Sequence, residues 1–122
     1  MKILIVDDQK RTRQSLRSLL NTLSFVTEIA EAEDGRQAML NMAEAPSGIV
    51  VMDARMPRMD GVQAAGFLKE RWPQTRLIIL SMYPEYRQAS LEAGADAFVS
   101  KGEPPEKLVE AISRLAGREG SA

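Results

Sequence analysis

The chain has 122 residues, with 16 Lys and Arg against 17 Asp and Glu for a formal charge of -1, and it contains neither cysteine nor histidine. Disulfides, thiolate or imidazole metal sites, a Ser-His-Asp triad and a histidine general base are therefore excluded within it, leaving carboxylates, hydroxyls and lysines to carry any chemistry. The balanced charge offers no footprint for nucleic acid or a membrane surface, and the apolar runs fall far short of the roughly 20 residues that span a bilayer, so a single soluble, cytoplasmic domain is expected.

Ile3 to Val6 is a short apolar run of strand character that ends on Asp7-Asp8. From Gln9 the pattern turns helical, with Leu16, Leu19, Leu20 and Leu23 on one face and Lys10, Arg11, Arg13 and Arg17 elsewhere. Val26 to Ala32 alternates as an edge strand with one wet face would; Asp34-Gly35 then turns the chain into a second helix, lined by Ala38, Met39, Met42 and Ala43, that stops before Pro46. Ile49 to Met52 is a run of the kind buried on both faces of a parallel sheet, and it ends on Asp53. After Gly61, Val62, Ala65, Phe67 and Leu68 form the apolar side of a third helix, closed by Trp72-Pro73. Leu77 to Leu80 is a fourth strand ending on Ser81, and Pro84 opens a helix through Ala89, Leu91 and Ala93 that Gly94 closes. Ala97 to Val99 is a fifth strand with Lys101 just beyond it, and Pro104-Pro105 start a last helix carrying the stripe Leu108, Val109, Ile112 and Leu115. The domain is expected over residues 1–116, with 117–122 as a linker or tail.

Strand-helix units in succession imply an α/β, flavodoxin-like, doubly wound single domain with a five-stranded parallel sheet in the order 2-1-3-4-5. In that order the first and third strands adjoin where the winding reverses, so Asp7, Asp8 and Asp53 should meet in one crevice, with Ser81 and Lys101 on the same edge. Each has a plainer reading by itself: Asp7-Asp8 as helix caps, Asp53 as a turn residue, Ser81 as a strand terminator, Lys101 as a solvated loop lysine, Phe98 as core. Their joint placement at the carboxyl ends of separate strands favours chemistry. Converging carboxylates repel unless a cation intervenes, and oxygen ligands at an open site suit magnesium. Adding a hydroxyl and an ammonium makes a cradle for a transferring phosphoryl group, with Asp53 as nucleophile and Asp7 and Asp8 as the metal site.

The acidic pair Asp7-Asp8, the segment from Asp53 to Gly61 (Asp-Ala-Arg-Met-Pro-Arg-Met-Asp-Gly), Ser81, the run Gly94-Ala95-Asp96-Ala97-Phe98 and Lys101 resemble the motifs of response regulator receiver domains of two-component systems, from Lys2 to about Leu115. The resemblance implies a signalling switch, not an enzyme in the ordinary sense, although it assists its own phosphorylation and dephosphorylation. Asp53 would take a phosphoryl group from the phosphohistidine of a partner sensor histidine kinase. Asp8 and Asp53 would bind Mg2+ directly, Asp7 through water, and the Arg55 backbone carbonyl would complete the protein ligands; Ser81 and Lys101 would hold the phosphoryl oxygens. A shift of Ser81 and an inward turn of Phe98 would remodel the surface of the fourth helix, fifth strand and fifth helix, which a partner or a second copy reads in a phosphorylation-dependent homodimer. The stretch from Ser81 to Gly102 is most similar to receivers joined to a C-terminal helix-turn-helix domain, so transcription control through a DNA-binding domain beyond this chain is expected.

Three residues depart from the family pattern. Gly102 stands where many members carry proline, which leaves the Lys101-Gly102 isomer open; Phe98 replaces the commoner tyrosine; Met82 is larger than the small residue often found there and would narrow the approach to Asp53. Arg55 and Tyr83 flank the phosphorylation site and would tune the lifetime of the phosphate. A magnesium-dependent phosphatase is the competing enzyme, but its second acid, two residues after the nucleophile, is here Arg55. A flavin module would want a glycine- and hydroxyl-rich loop after the first strand, where this chain has Asp-Asp-Gln-Lys. A receiver-like interaction domain that is never phosphorylated is the third alternative.

Overall fold

The computed structural model describes residues 1–117. Five strands, β1 (Lys2–Val6), β2 (Glu28–Ala32), β3 (Ile49–Asp53), β4 (Arg76–Ser81) and β5 (Ala97–Ser100), alternate with five helices, α1 (Lys10–Leu20), α2 (Gly35–Glu44), α3 (Gly61–Arg71), α4 (Arg87–Glu92) and α5 (Pro105–Leu115). All ladders are parallel, in the order β2-β1-β3-β4-β5. The topology matches the sequence expectation. Residues 118–122 of the expected tail lie outside the described residues.

The central strands β1, β3 and β4 are buried apolar runs because both faces of the sheet are covered there, whereas the edge strand β2 exposes Glu28 and Glu31. Alternation sorts their side chains: Ile3, Ile5, Ile49, Val51, Ile78 and Leu80 meet α1 and α5 through Leu20, Leu108 and Ile112. Leu4, Val6, Val50, Met52, Leu77 and Ile79 meet α2 and α3 on the other face. Each such side chain, fully removed from water, contributes about 1.5–3 kcal/mol before conformational entropy is subtracted. Small residues on α2 and α3, among them Ala38, Ala64 and Ala65, let those helices lie close to the sheet.

Four local expectations change in the folded chain. β2 begins at Glu28, not Val26: the Val26 N–H closes a turn onto the Leu23 carbonyl, and the Thr27 N–H crosses to the Met1 carbonyl just ahead of the Lys2-Glu28 pairing. The helix expected from Pro84 to Ala93 is a single 3-10 turn, Pro84–Tyr86, followed by the six-residue α4. α4 ends on Gly94 at φ 112°, with Ala95 N–H on the Ser90 carbonyl and Gly94 N–H on that of Leu91, a paired closure that requires a left-handed residue. Phe67 and Leu91 are exposed, since α3 turns Gly61, Ala64, Ala65 and Leu68 inward and α4 buries Ser90. Arg13, assigned from sequence to the polar side, is buried. All peptide bonds among the described residues are trans, including Lys101-Gly102.

Asp34 begins α2. Its carboxylate accepts from the Gln37 N–H at 2.9 Å and from Arg58 Nη1 at 2.7 Å, so one buried group caps α2 and ties down the loop after β3, where Arg58 sits at φ 70°. The Gln37 N–H, with the Arg58 charge, holds its pKa below 3.8 against the opposing effect of burial. Asp34→Ala is expected to cost about 2 kcal/mol, a lost cap plus a stranded charged contact. Because the folded pKa is depressed, that stability is complete above the unfolded value of 3.8 and is lost as pH falls through the folded one. Urea melts across that range should show the difference between wild type and variant shrinking in acid.

Candidate functional site at the carboxyl edge of the sheet

Parallel register brings the strand ends level. Val6 lies opposite Met52, Asp53 opposite Leu80, and Ser81 opposite Ser100. Asp7, one residue past β1, is buried; Asp8 is exposed; Asp53 is the half-buried last residue of β3. One carboxylate oxygen from each lies within 4.8 Å of the other two. Lys101 enters this cluster with Nζ 3.0 Å from Asp7 Oδ2 and 3.5 Å from Asp53 Oδ2, and its own N–H donates to the Ser81 carbonyl at 2.9 Å. Lys101 is therefore not a solvated loop lysine.

The plainer readings of the other residues fare differently. The N-cap of α1 is Gln9, which makes no side-chain cap; Asp7 Oδ1 instead accepts from the Gln9 N–H at 2.9 Å, within the turn before the helix. Within its own turn Asp53 accepts only a long contact, 3.5 Å, from the Arg55 N–H. The Ser81 hydroxyl is buried and accepts from the Tyr83 N–H at 3.0 Å, so it closes the strand end as well as facing this edge. Phe98 is half-buried against the layer that holds Tyr86 and Ala93, with the Arg87 guanidinium 6.0 Å from its ring centroid.

Burial pushes the Asp53 pKa up; the Lys101 charge opposes this and the Asp7 charge reinforces it. The carboxylate is thus desolvated but held beside an ammonium, a state in which an added cation has much to neutralise. Three hard oxygen donors and no soft ligand fit a divalent ion such as Mg2+, which binds through a few carboxylates and retains water. A cleft of about 430 Å³ opens beside the cluster, walled by Asp8, Arg55, Met56, Pro57, Asp60 and Tyr86. Arg55 lies over Tyr83 at 4.8 Å, and Tyr83 meets Tyr86 edge-on at 6.3 Å. Met82 is exposed, and the walls of this cleft are formed by other residues.

Sequence reasoning missed two structural supports of the site. Asp60 caps α3 by accepting from the Gln63 N–H at 2.8 Å. Arg13 donates to the Asp7 carbonyl at 2.6 Å. The signal for Arg13 was its spacing, since positions 13, 16 and 20 share one helical face with Leu16 and Leu20.

Residues 3–113 match the family model described as the response regulator receiver domain. The chain belongs to that family. The receiver is 36% identical over 111 residues to the uncharacterized transcriptional regulatory protein YhcZ of Bacillus subtilis, covering 89% of this chain and 52% of that protein. It spans about half the length of the curated relatives it matches. It superposes with a TM-score of 0.89, at 32% identity and over 96% of its length and 86% of the other, on a LuxR-family two-component response regulator from Aurantimonas sp. SI85-9A1. RcsB of Salmonella enterica, solved on the rprA promoter with the phosphomimetic BeF3-, gives a TM-score of 0.86 at 25% identity, covering 95% of the receiver and 98% of that chain. The receiver is a domain of two-component signalling whose relatives are transcriptional regulators, and no described helix is long and apolar enough to cross a membrane.

Proposed function

We propose that this receiver accepts a phosphoryl group on Asp53 from the phosphohistidine of a sensor histidine kinase, with Mg2+ held by Asp7, Asp8, Asp53 and the Arg55 carbonyl. The observation that carries the reading is the convergence of three carboxylates within 4.8 Å, two of them paired with the half-buried Lys101 ammonium. An Asp53 oxygen forms the new bond to phosphorus as the bond from phosphorus to the donor imidazole breaks, and the imidazole takes a proton from solvent. The bound cation would supply charge neutralisation between the carboxylates and the incoming phosphoryl oxygens. Lys101 places a point charge on the same oxygens by giving up its 3.5 Å contact with Asp53. Ser81 donates its hydroxyl to them without breaking a bond, because its oxygen is the acceptor in the bond from Tyr83.

The switch then runs outward along β4 and β5. Ser81, Tyr83 and Phe98 lie on or beside the elements that build the α4-β5-α5 face, and a rearrangement there favours the phosphorylated state by its differential affinity for the phosphoryl group. That face serves a phosphorylation-dependent homodimer, and the output is transcription through a DNA-binding domain beyond this chain. The curated relatives, which are about twice as long, and the promoter-bound RcsB support this. The receiver itself makes no nucleic-acid contact in this reading, and it works in the cytoplasm.

The test is intact mass after incubation with acetyl phosphate, with Mg2+ or with chelator. A single Mg2+-dependent phosphate adduct in wild type, absent from Asp53→Asn, is the expected result. An adduct of equal yield in Asp53→Asn, or none in wild type, would overturn the assignment.

A further inference from the structure

Among the described residues Arg13 is the one basic side chain that is buried, at 8% exposure. It stands in the first turn of α1, and because helical side chains lean toward the N-terminus its guanidinium reaches back out of the helix. Nη1 donates to the Asp7 carbonyl at 2.6 Å, Nε donates to Glu31 Oε1 at 2.9 Å, and Nη2 lies 4.0 Å from Glu33. The first contact does nothing for the helix. That carbonyl belongs to the peptide joining Asp7 to Asp8, so the group that Arg13 grips is the single hinge from which both acidic side chains project. Asp7 is already held at its carboxylate by the Gln9 N–H and Lys101, whereas Asp8 is exposed to solvent. Rotation of the gripped peptide would carry Asp8 away from Asp7 and Asp53. Glu31, on the edge strand, neutralises the guanidinium, so the grip adds little net positive charge beside a cation site.

We propose that Arg13 is a positioning residue for divalent-cation binding, fixing the Asp7-Asp8 peptide so that the two carboxylates meet Asp53. This rests on the reading of the acidic cluster as the metal site. It assigns the Arg13-Glu31 pair a task that a plain link between α1 and β2 would not have. Arg17 makes that plain link: its Nε donates to Glu31 Oε2 at 2.8 Å and its Nη2 to the Ile29 carbonyl at 3.2 Å, with no contact to Asp7.

The experiment is a Mg2+ titration of the whole chain, followed by amide NMR shifts, on wild type, Arg13→Met, Arg13→Lys and Arg17→Met, each with a urea melt in chelator. Arg13→Met should weaken Mg2+ binding about tenfold or more, the scale on which removing a group that orients a metal ligand acts. Arg17→Met should lose stability yet bind Mg2+ within about twofold of wild type. Arg13→Lys keeps the stem and the charge but cannot bridge two partners, and it should weaken binding several-fold; it decides the matter if the Met variant fails to fold. Wild-type affinity in the Arg13 variants, or equal weakening in Arg17→Met, would overturn the positioning role while leaving the metal site intact. No Mg2+-dependent shift in wild type would remove the metal site and this role together.

Discussion

Gly61→Ala is expected to destabilise the receiver by about 3 kcal/mol or more and to weaken Mg2+ binding with it. A Cβ at this position would stand 2.1 Å from the Asp53 carbonyl oxygen, 2.8 Å from the Ala54 Cα and 2.9 Å from the Asp53 carbonyl carbon. All three are backbone atoms at the end of β3, so no flexible side chain can swing aside. The contact exists because the Gly61 N–H donates to the Ala54 carbonyl at 2.9 Å, drawing the start of α3 onto the strand that ends on Asp53. Relief of the clash must move α3 or move Asp53. Gly66 supplies the internal control, since the same helix has open space there and Gly66→Ala should instead stabilise by about 0.5–1 kcal/mol. Urea unfolding followed by Trp72, which caps the same helix and packs on the core, reads both. A Gly61→Ala receiver as stable as wild type would mean that the β3-α3 junction is far softer than its packing implies.

Asp53→Asn should abolish phosphorylation and yet, in chelator at neutral pH, raise stability on the order of 1 kcal/mol, the lower end of what burying a polar group costs. The reason is desolvation. Burial raises the Asp53 pKa above 3.8, with Lys101 opposing and Asp7 reinforcing, so the native state holds that proton more tightly than the unfolded chain does. Below 3.8 the carboxyl is neutral in both states and costs nothing; as pH rises through the folded value the native carboxylate becomes charged and the penalty is complete. Asp53 therefore subtracts stability from wild type over this window, and the advantage of Asp53→Asn grows as pH rises through it. Lys101 keeps its closer partner, Asp7 at 3.0 Å, in the variant, so little favourable pairing is sacrificed. Mg2+ at the proposed site is expected to reverse the order: at a hundred times its dissociation constant a ligand adds about 2.7 kcal/mol to the state that binds it, and the variant lacks one of the carboxylates. Melts of both proteins against pH, with chelator and with Mg2+, test the sign of each arm. An Asn variant less stable than wild type in chelator at every pH would refute the account.

The site was legible where chemistry coincided with strand ends. Asp7, Asp53, Ser81 and Lys101 each follow a continuous apolar run, and a parallel sheet leaves only one edge on which such ends can gather. The supports were less legible. Arg13 looks like one more surface cation of α1 until the Asp7 carbonyl and Glu31 are seen on either side of it. Asp34 and Arg58 are 24 residues apart, and nothing in the sequence pairs them. Phe67 satisfied the apolar period of α3 and still faces water, because alanines, not large side chains, are what fit between that helix and the sheet.

Fold class, strand order and the convergence of the acidic residues with Lys101 were determined by the sequence alone, through alternating apolar runs and the handedness of parallel crossovers, which leave few topologies open. Tertiary structure alone decided how the cluster is held: that Lys101 pairs more closely with Asp7 than with Asp53, that Asp53 is desolvated, and that a buried arginine grips the peptide between the two acids. Periodicity reports which face of an element avoids water. Distances between groups on different elements depend on how those faces pack, and no local pattern encodes them.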